Sequence, residues 1–448
     1  MARAAKLSGF PEWLPADRIV EERVIDLLKH VFELHGFAAL HTRAMEPISS
    51  LAKDGEIDKE VFAVSRLHGE GGESRNPLGL HFDLTVPFAR YVVEHAGHLA
   101  FPFKRYQIQP VWRGERPQDG RFREFIQADI DVVGEDVLPD HYEVEVPLVM
   151  AEAFRALSEL GVPPVRILAN DRRLIEGFAR GAGLDDVPAV LRSIDKLDKI
   201  GEEAVARLLA EEAGADTRQQ ELCLALARIE SPDAGFADAV VDLGVSHPLL
   251  DEGLAALTRL LETAHTRAPG TVWAQLKIAR GLDYYTGAVY ETQLQGHEDL
   301  GSVASGGRYD ALATSGKRTY PGVGMSVGVS RLMSRLVGAQ RMVQATRDVP
   351  TAVLVSVSDE AHRGDSDRVA ATLRHRGIPA DVAPAAAKFG KQIRFADRRG
   401  IPFVWFVDGE SGHEVKDIRS GHQEPADASV WTPPEEDLWP RVERVAGE

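Results

Sequence analysis

Hydrophobic and polar positions repeat with two periods along this chain. Between Arg18 and Leu34, Val20, Val24, Leu27, Leu28, Val31 and Leu34 recur at helical spacing with charges between them, which predicts an amphipathic helix closed by Gly36. Phe37 to Thr42 has strand character and runs into Met45-Glu46-Pro47, where proline ends the strand or confines it to an edge. After HGEGGESRNPLG at 68–79, the composition of a mobile binding loop, Pro87 precedes a second predicted helix from Phe88 to His95. Residues 101–134 switch to alternation, which predicts two long strands joined by a turn at Pro117 and Asp119-Gly120. One face of this hairpin is apolar, with Tyr106, Ile108, Trp112, Phe122, Ile126 and Ile130. The other carries Gln107, Gln109 and Arg113, then Arg121, Arg123, Gln127, Asp129 and Asp131.

From about 171 to 265 the chain turns to Ala, Leu, Glu, Asp and Arg at helical spacing, a predicted helical insert without a hydrolytic motif. Strand patterning returns at Val272–Ala279 and Ala288–Leu294, followed by a glycine-rich turn at Gly306-Gly307 and an alternating stretch, Gly322–Gly328. Past a polar connector, Thr351–Val357, a helix near Asp367–Arg376, Ala380–Ala383, a helix over Ala386–Arg399 and Pro402–Val407 alternate as a small α/β unit.

A length of 448 residues is compatible with two to four domains, and 44% apolar with 27% charged residues is ordinary globular usage. No stretch approaches the roughly 20 apolar residues of a membrane span, and Met1–Phe10 lacks a signal-peptide block, so a cytoplasmic protein is expected. The single cysteine, Cys223, excludes an intrachain disulfide and any CxxC site; its helical apolar context makes it a core residue. A formal charge of −17 disfavours nucleic-acid binding by the surface as a whole, leaving local basic patches to meet any polyanion.

Several catalytic readings fail on spacing. There is no GxxxxGK[ST] loop, no HExxH and no dinucleotide fingerprint. Gly324-Met325-Ser326-Val327-Gly328 matches GxSxG, yet Val323, Met325, Val327 and Val329 alternate through it as in a continuous strand rather than a nucleophile elbow. The same alternation puts Gly322, Gly324, Ser326 and Gly328 on one face, a bare floor for a flat ligand, with Arg331 just beyond. Arg113, Arg280 and Arg331 form a guanidinium set suited to polyphosphate; a surface ion pair is the bland reading of Arg116 or Arg123. In the last unit Lys388, Lys391, Arg394 and Arg398 step along one helix face, which is either a solvated surface or a polyanion site.

These motifs together resemble the class II aminoacyl-tRNA synthetases, specifically the histidyl-tRNA synthetase family. The helix and strand ending at Pro47, VWRGERPQDGRFREFIQADIDVVG and GVGMSVGVSRL resemble the three class motifs. FDLTVPFARY at 82–91, RGLDYYTGAVYE at 280–291, SGGRYDAL at 305–312 and KFGKQIRFADRRGIPFV at 388–404 resemble the family's own. The resemblance implies an α+β fold, an antiparallel sheet flanked by helices with a C-terminal α/β anticodon-binding domain. It also implies a catalytic core split into 1–170 and 266–336, an insertion domain at 171–265, a linker at 337–349 and the anticodon domain at 350–448.

The implied reaction activates L-histidine with ATP and Mg²⁺ and passes it to tRNA(His). Asp83, Thr85 and Gln127 would hold the α-ammonium group; Asp131 and Tyr285 would meet the imidazole, with Tyr284, Tyr309, Gly306 and Gly307 shaping the pocket. Arg113, Glu115, Arg121 and Arg331 would bind ATP, and Arg280 would act as the catalytic arginine with Arg113. Lys388, Lys391, Arg394 and Arg398 would contact the anticodon, two copies would pair as a homodimer, and no residue set is expected to hold a metal on its own. Asp83 and Asp131 stand where many members carry glutamate, which keeps the carboxylate and shortens its reach. The rival expectation is a non-catalytic regulatory subunit of histidine biosynthesis on the same fold.

Overall fold

The computed structural model describes residues 7–51, 60–67, 77–279, 285–339, 341–408 and 412–445. Arg280, Tyr284 and most of the 68–79 loop lie outside the described residues. The chain forms two compact units, one holding Val24–Arg335 and the other Leu336 onward together with Glu12–Arg23.

The first unit is built on a nine-stranded sheet: β1 (Ala38–Ala39), β2 (Phe103–Trp112), β3 (Glu124–Val133), β4 (Val165–Asp171), β5 (Glu230–Ser231), β6 (Val272–Gln275), β7 (Ala288–Leu294), β8 (Ala304–Tyr309) and β9 (Gly322–Gly328). The spatial order is β1-β2-β3-β9-β8-β7-β4-β6-β5. The ladder is antiparallel except at β1–β2 and β4–β6. Ala128, Ile130, Val132, Val323, Met325 and Val327 are buried on one face, where helix His141–Leu157 packs against β9. The opposite face carries the polar positions of β3. Helix Thr85–His95 covers one end of that face, with Phe88, Ala89 and Val92 packed among Val133, Tyr309 and Tyr320.

The structure departs from the sequence reading in several places. The second helix starts at Thr85, because Pro87 sits in its first turn, where no backbone donor is required. Gly306-Gly307 is not a turn but the middle of β8; a Cβ at 306 would lie 2.0 Å from the Gly324 carbonyl oxygen, so the glycine serves close strand packing. Only Ala38–Ala39 of the predicted Phe37–Thr42 strand pairs. The 171–265 stretch is largely helical, but β5 adds to the sheet edge beside β6.

In the second unit, β10 (Val353–Val355), β11 (Ala380–Val382), β12 (Phe403–Asp408), β13 (Gly412–Asp417) and β14 (Gln423–Pro425) are ordered β11-β10-β12-β13-β14. The first three are parallel with helices Arg363–His375 and Phe389–Asp397 between them; the last two are antiparallel additions. Val343–Ala345, read as connector, pairs with Val442–Arg444. No described helix is long and apolar enough to cross a membrane.

Candidate active site

Strand period places the site. Gln127, Asp129 and Asp131 share one face of β3; in the β2 ladder they stand opposite Gln109, Gln107 and Arg105, and in the β9 ladder opposite Gly328, Ser326 and Gly324. Two cavities open over this face. Asp83, Thr85, Gln127, Asp129, Asp131, Tyr285, Gly306, Gly307 and Tyr309 line the first. Glu115, Arg121, Phe122, Phe125, Gly328 and Arg331 line the second. Arg113, Gln127, Ser305 and Ser326 line both, so the two spaces meet at these four residues.

The first cavity is acidic. Asp129 and Asp131 are buried. Asp131 Oδ1 accepts from the Tyr309 hydroxyl at 2.7 Å, and its Oδ2 lies 2.7 Å from Arg105 Nη2. Burial pushes the Asp131 carboxyl up to about 7; Arg105 opposes the rise, and Asp129 and Asp83 add to it. Burial likewise raises Asp129, against Arg105 and Ser326. Asp83 accepts from the Val86 amide at 3.1 Å, capping the first turn of helix Thr85–His95. Burial lifts it to about 6, held back by that amide and by Arg113. Gln127 Nε2 donates to Ser326 Oγ at 2.8 Å, and its buried Oε1 has no partner among the described residues. Acceptors without partners among the described residues and crowded carboxylates together suit this cavity to a cation.

The second cavity is lined by guanidinium groups. Arg113 Nε donates to the Phe82 carbonyl at 2.9 Å, and its guanidinium carbon lies 5.0 Å from the Phe125 ring centroid. No described residue accepts from its Nη atoms. Arg331 Nε donates to the Gly120 carbonyl at 3.0 Å and its Nη1 to that of Ser302, so the side chain is tied between the hairpin turn and the segment before β8. Arg121 faces Glu115 at 3.7 Å.

The structure thus gathers Asp83, Thr85, Gln127, Asp131, Tyr285 and Tyr309 at one cavity and Glu115, Arg121 and Arg331 at the other, with Arg113 between them. The glycine floor is smaller than its pattern implies. A Cβ at 322 would meet the Tyr309 ring at 2.4 Å, and one at 324 would meet Asp131 Oδ1 at 2.1 Å. These glycines make room for two side chains, and only the Ser326–Gly328 end lines the arginine-rich cavity. Arg105, Asp129, Phe125 and Glu60 carry no site role in the sequence pattern, although Phe125 and Asp129 share the polar face of the hairpin. Arg105 shares the parity of Gln107 and Gln109, so alternation carried that signal; nothing in the sequence pointed to Glu60, which reaches the first cavity from the edge of an undescribed stretch.

In the second unit Lys388, Lys391, Arg394 and Arg398 are all exposed along helix Phe389–Asp397 and its ends. None makes an ion pair with a described residue, whereas Arg399 lies 3.6 Å from Asp381. Gln392 is buried on the opposite side, bonded to both the amide and the carbonyl of Val357, which fixes which face looks outward.

Residues 9–332 match the family model described as histidyl-tRNA synthetase, and residues 351–427 match that of an anticodon binding domain. The chain belongs to the histidyl-tRNA synthetase family. It is 58% identical to the histidine–tRNA ligase of Micrococcus luteus, over 99% of this chain and 100% of the relative, and 55% identical to that of Cutibacterium acnes, over 99% of each. Among solved structures, the histidyl-tRNA synthetase of Nostoc sp. superposes with a TM-score of 0.82 at 30% identity, covering 95% of this chain and 97% of that one. Membership makes this a class II ligase that uses ATP. It also places the two cavities in the part of the chain that the synthetase model matches.

Proposed function

We infer that this protein activates L-histidine with ATP to histidyl-adenylate and pyrophosphate, then transfers histidine to the 3' end of tRNA(His). The observation that carries this reading is the junction: a cation-receiving cavity and an arginine-lined cavity meet at Arg113, Gln127, Ser305 and Ser326. The cation site takes the amino acid. Asp83, Thr85 and Oε1 of Gln127 receive the α-ammonium, while Asp131 accepts from one imidazole nitrogen and Tyr285 meets the other. Selecting a ring by hydrogen bonds at both nitrogens leaves buried groups unpaired with any analogue, which supports discrimination of about 10⁴–10⁵ without editing.

The second cavity takes ATP. Phe125 and the tethered Arg331 suit the adenine and its phosphates, with Arg121 and Glu115 at the hairpin end. Histidine's α-carboxylate has a pKa near ~3.5 and is ionised at neutral pH, so its attack on the α-phosphorus needs no general base. The requirement is alignment and charge neutralisation, which Arg113 supplies at the junction. Arg280, outside the described residues, is assigned beside it from the family motif, and Tyr284 beside the imidazole. No described cluster of three or more His, Cys, Asp or Glu residues suits a metal. Mg²⁺ would arrive on the nucleotide's phosphates, with Glu115 as the carboxylate that lines the same cavity. When bound, Mg²⁺ supplies charge neutralisation of the pyrophosphate.

Residues 350–448, through the exposed cations of helix Phe389–Asp397, read the anticodon; the 171–265 span contacts the acceptor arm; and two copies pair through the segment ending at Pro47. A regulatory subunit that charges no tRNA is disfavoured by the catalytic-arginine motif at 280–291 and by the anticodon unit. Histidine-dependent ATP–pyrophosphate exchange by the purified protein, followed by charging of tRNA(His), tests the assignment. Exchange without charging would leave a bare activating enzyme, and absence of exchange would reject the ligase reading.

A further inference from the structure

Behind the histidine cavity sits a charged side chain that does not line it. Arg105 is wholly buried and stands directly across the β2–β3 ladder from Asp131. Its Nη2 is 2.7 Å from Asp131 Oδ2 and 3.9 Å from Asp129 Oδ2. The guanidinium carbon lies 4.3 Å from the Phe88 ring centroid, and Nε and Nη1 have no partner among the described residues. On its other side Asp131 receives the Tyr309 hydroxyl, in the space that Gly324 leaves free. One carboxylate oxygen of Asp131 therefore accepts a hydrogen bond and the other is held in an ion pair, so the group cannot turn without breaking one of the two.

An imidazole N–H is selected by an acceptor whose remaining lone pair is already aimed at it, because an acceptor free to rotate loses that entropy on binding. A buried arginine also needs a carboxylate at all times, since an unpaired internal charge is strongly destabilising. Asp129, two residues along the same strand face, meets that need. We propose that Arg105 is a positioning residue for histidine selection: with Asp129 as its second partner, it fixes the orientation in which Asp131 meets the imidazole. The proposal rests on the assignment of Asp131 to the imidazole. The charged and titratable groups facing Asp131 are Arg105 on β2, Asp129 on β3, Tyr309 on β8 and Asp83 ahead of the covering helix. Arg105 alone among them is cationic, so removing it and removing Asp129 must move the Asp131 carboxyl in opposite directions.

The test uses the full-length protein with Arg105→Met, Arg105→Lys, Asp129→Asn and Asp131→Asn. It measures KM for histidine and for ATP in pyrophosphate exchange, and the titration of the Asp131 carboxyl by carbon NMR, assigned by its loss in Asp131→Asn. Arg105→Met is expected to raise histidine KM by about 30-fold or more with ATP KM changed less than about threefold, and Arg105→Lys to recover part of that loss. Asp131 is expected to titrate higher in Arg105→Met and lower in Asp129→Asn. Should Arg105→Met fail to fold, Arg105→Lys is expected to raise histidine KM alone by about 5- to 10-fold. Equal rises in both KM values, a histidine KM within threefold of the parent, or titration shifts of the same sign would overturn the proposal. A large Asp131→Asn effect beside a silent Arg105→Met overturns it alone; a silent Asp131→Asn overturns the imidazole assignment as well.

Discussion

At the scale of single residues, the site is controlled by where carboxylates have room and where they have partners. Gly324 is the clearest case: an alanine there would place its Cβ 2.1 Å from Asp131 Oδ1. Gly324→Ala is therefore expected to raise histidine KM by about tenfold or more while ATP KM stays near its parent value, at a stability cost of about 1–3 kcal/mol from overpacking; kinetics in both substrates and a melting curve check this. Asp83 gives a pH prediction. Its folded-state pKa, about 6, lies above the ordinary 3.8, so the native state binds the extra proton and stability falls as pH rises between those values. Asp83→Asn keeps an oxygen for the Val86 amide and removes the charge. Its stability advantage over the parent should grow from pH 4 to 6, reach on the order of 2 kcal/mol and stay level above, while histidine KM rises. Denaturant melts across pH would show the opposite trend if the Asp83 carboxyl were stabilised by its surroundings. Position and parity of Gln127, Asp131 and Arg113 were readable from alternation alone. Arg105 was not assigned because a buried arginine is indistinguishable in sequence from a surface one, and the displacement of the glycine floor by Tyr309 required side-chain packing to be seen.

At the scale of elements, the paired β2–β3 hairpin and β9 were legible because long alternating strands write a period of two into the sequence. The short pieces were not: β1 and β5 have two residues each, too few for any period, and both exist because a neighbouring strand edge accepts them. Gly306-Gly307 reads as a turn in sequence for a related reason, since glycine signals a turn locally and close strand packing only in three dimensions. The basic helix Phe389–Asp397 was legible by its spacing, and buried Gln392 explains which side faces outward. Reversing two of its charges, Lys391→Glu with Arg394→Glu, is expected to raise the KM for tRNA about tenfold or more, to flatten its salt dependence and to leave pyrophosphate exchange unchanged. Equal effects on exchange and charging would remove this helix from RNA recognition.

For the whole molecule, the net charge of −17 looks adverse to an RNA partner. The structure places exposed cations, without ion pairs to described residues, along one helix of the second unit and at its ends, while Arg113 and Arg331 are tied down around a cavity. An acidic remainder limits attachment to wrong polyanions, so local cations give selectivity in place of general affinity. Deleting Pro350 onward should accordingly reduce charging far more than exchange, provided circular dichroism shows the remaining unit folded. One small molecule, the histidyl-adenylate, is expected to span both cavities across the Arg113 junction. A crystal structure with a non-hydrolysable histidyl-adenylate analogue tests this most directly. The imidazole should lie against Asp131, the phosphate mimic beside Arg113 and the adenine between Phe125 and Arg331; an analogue confined to one cavity, or bound with its ring away from Asp131, would show that the two cavities do not form one adenylate site.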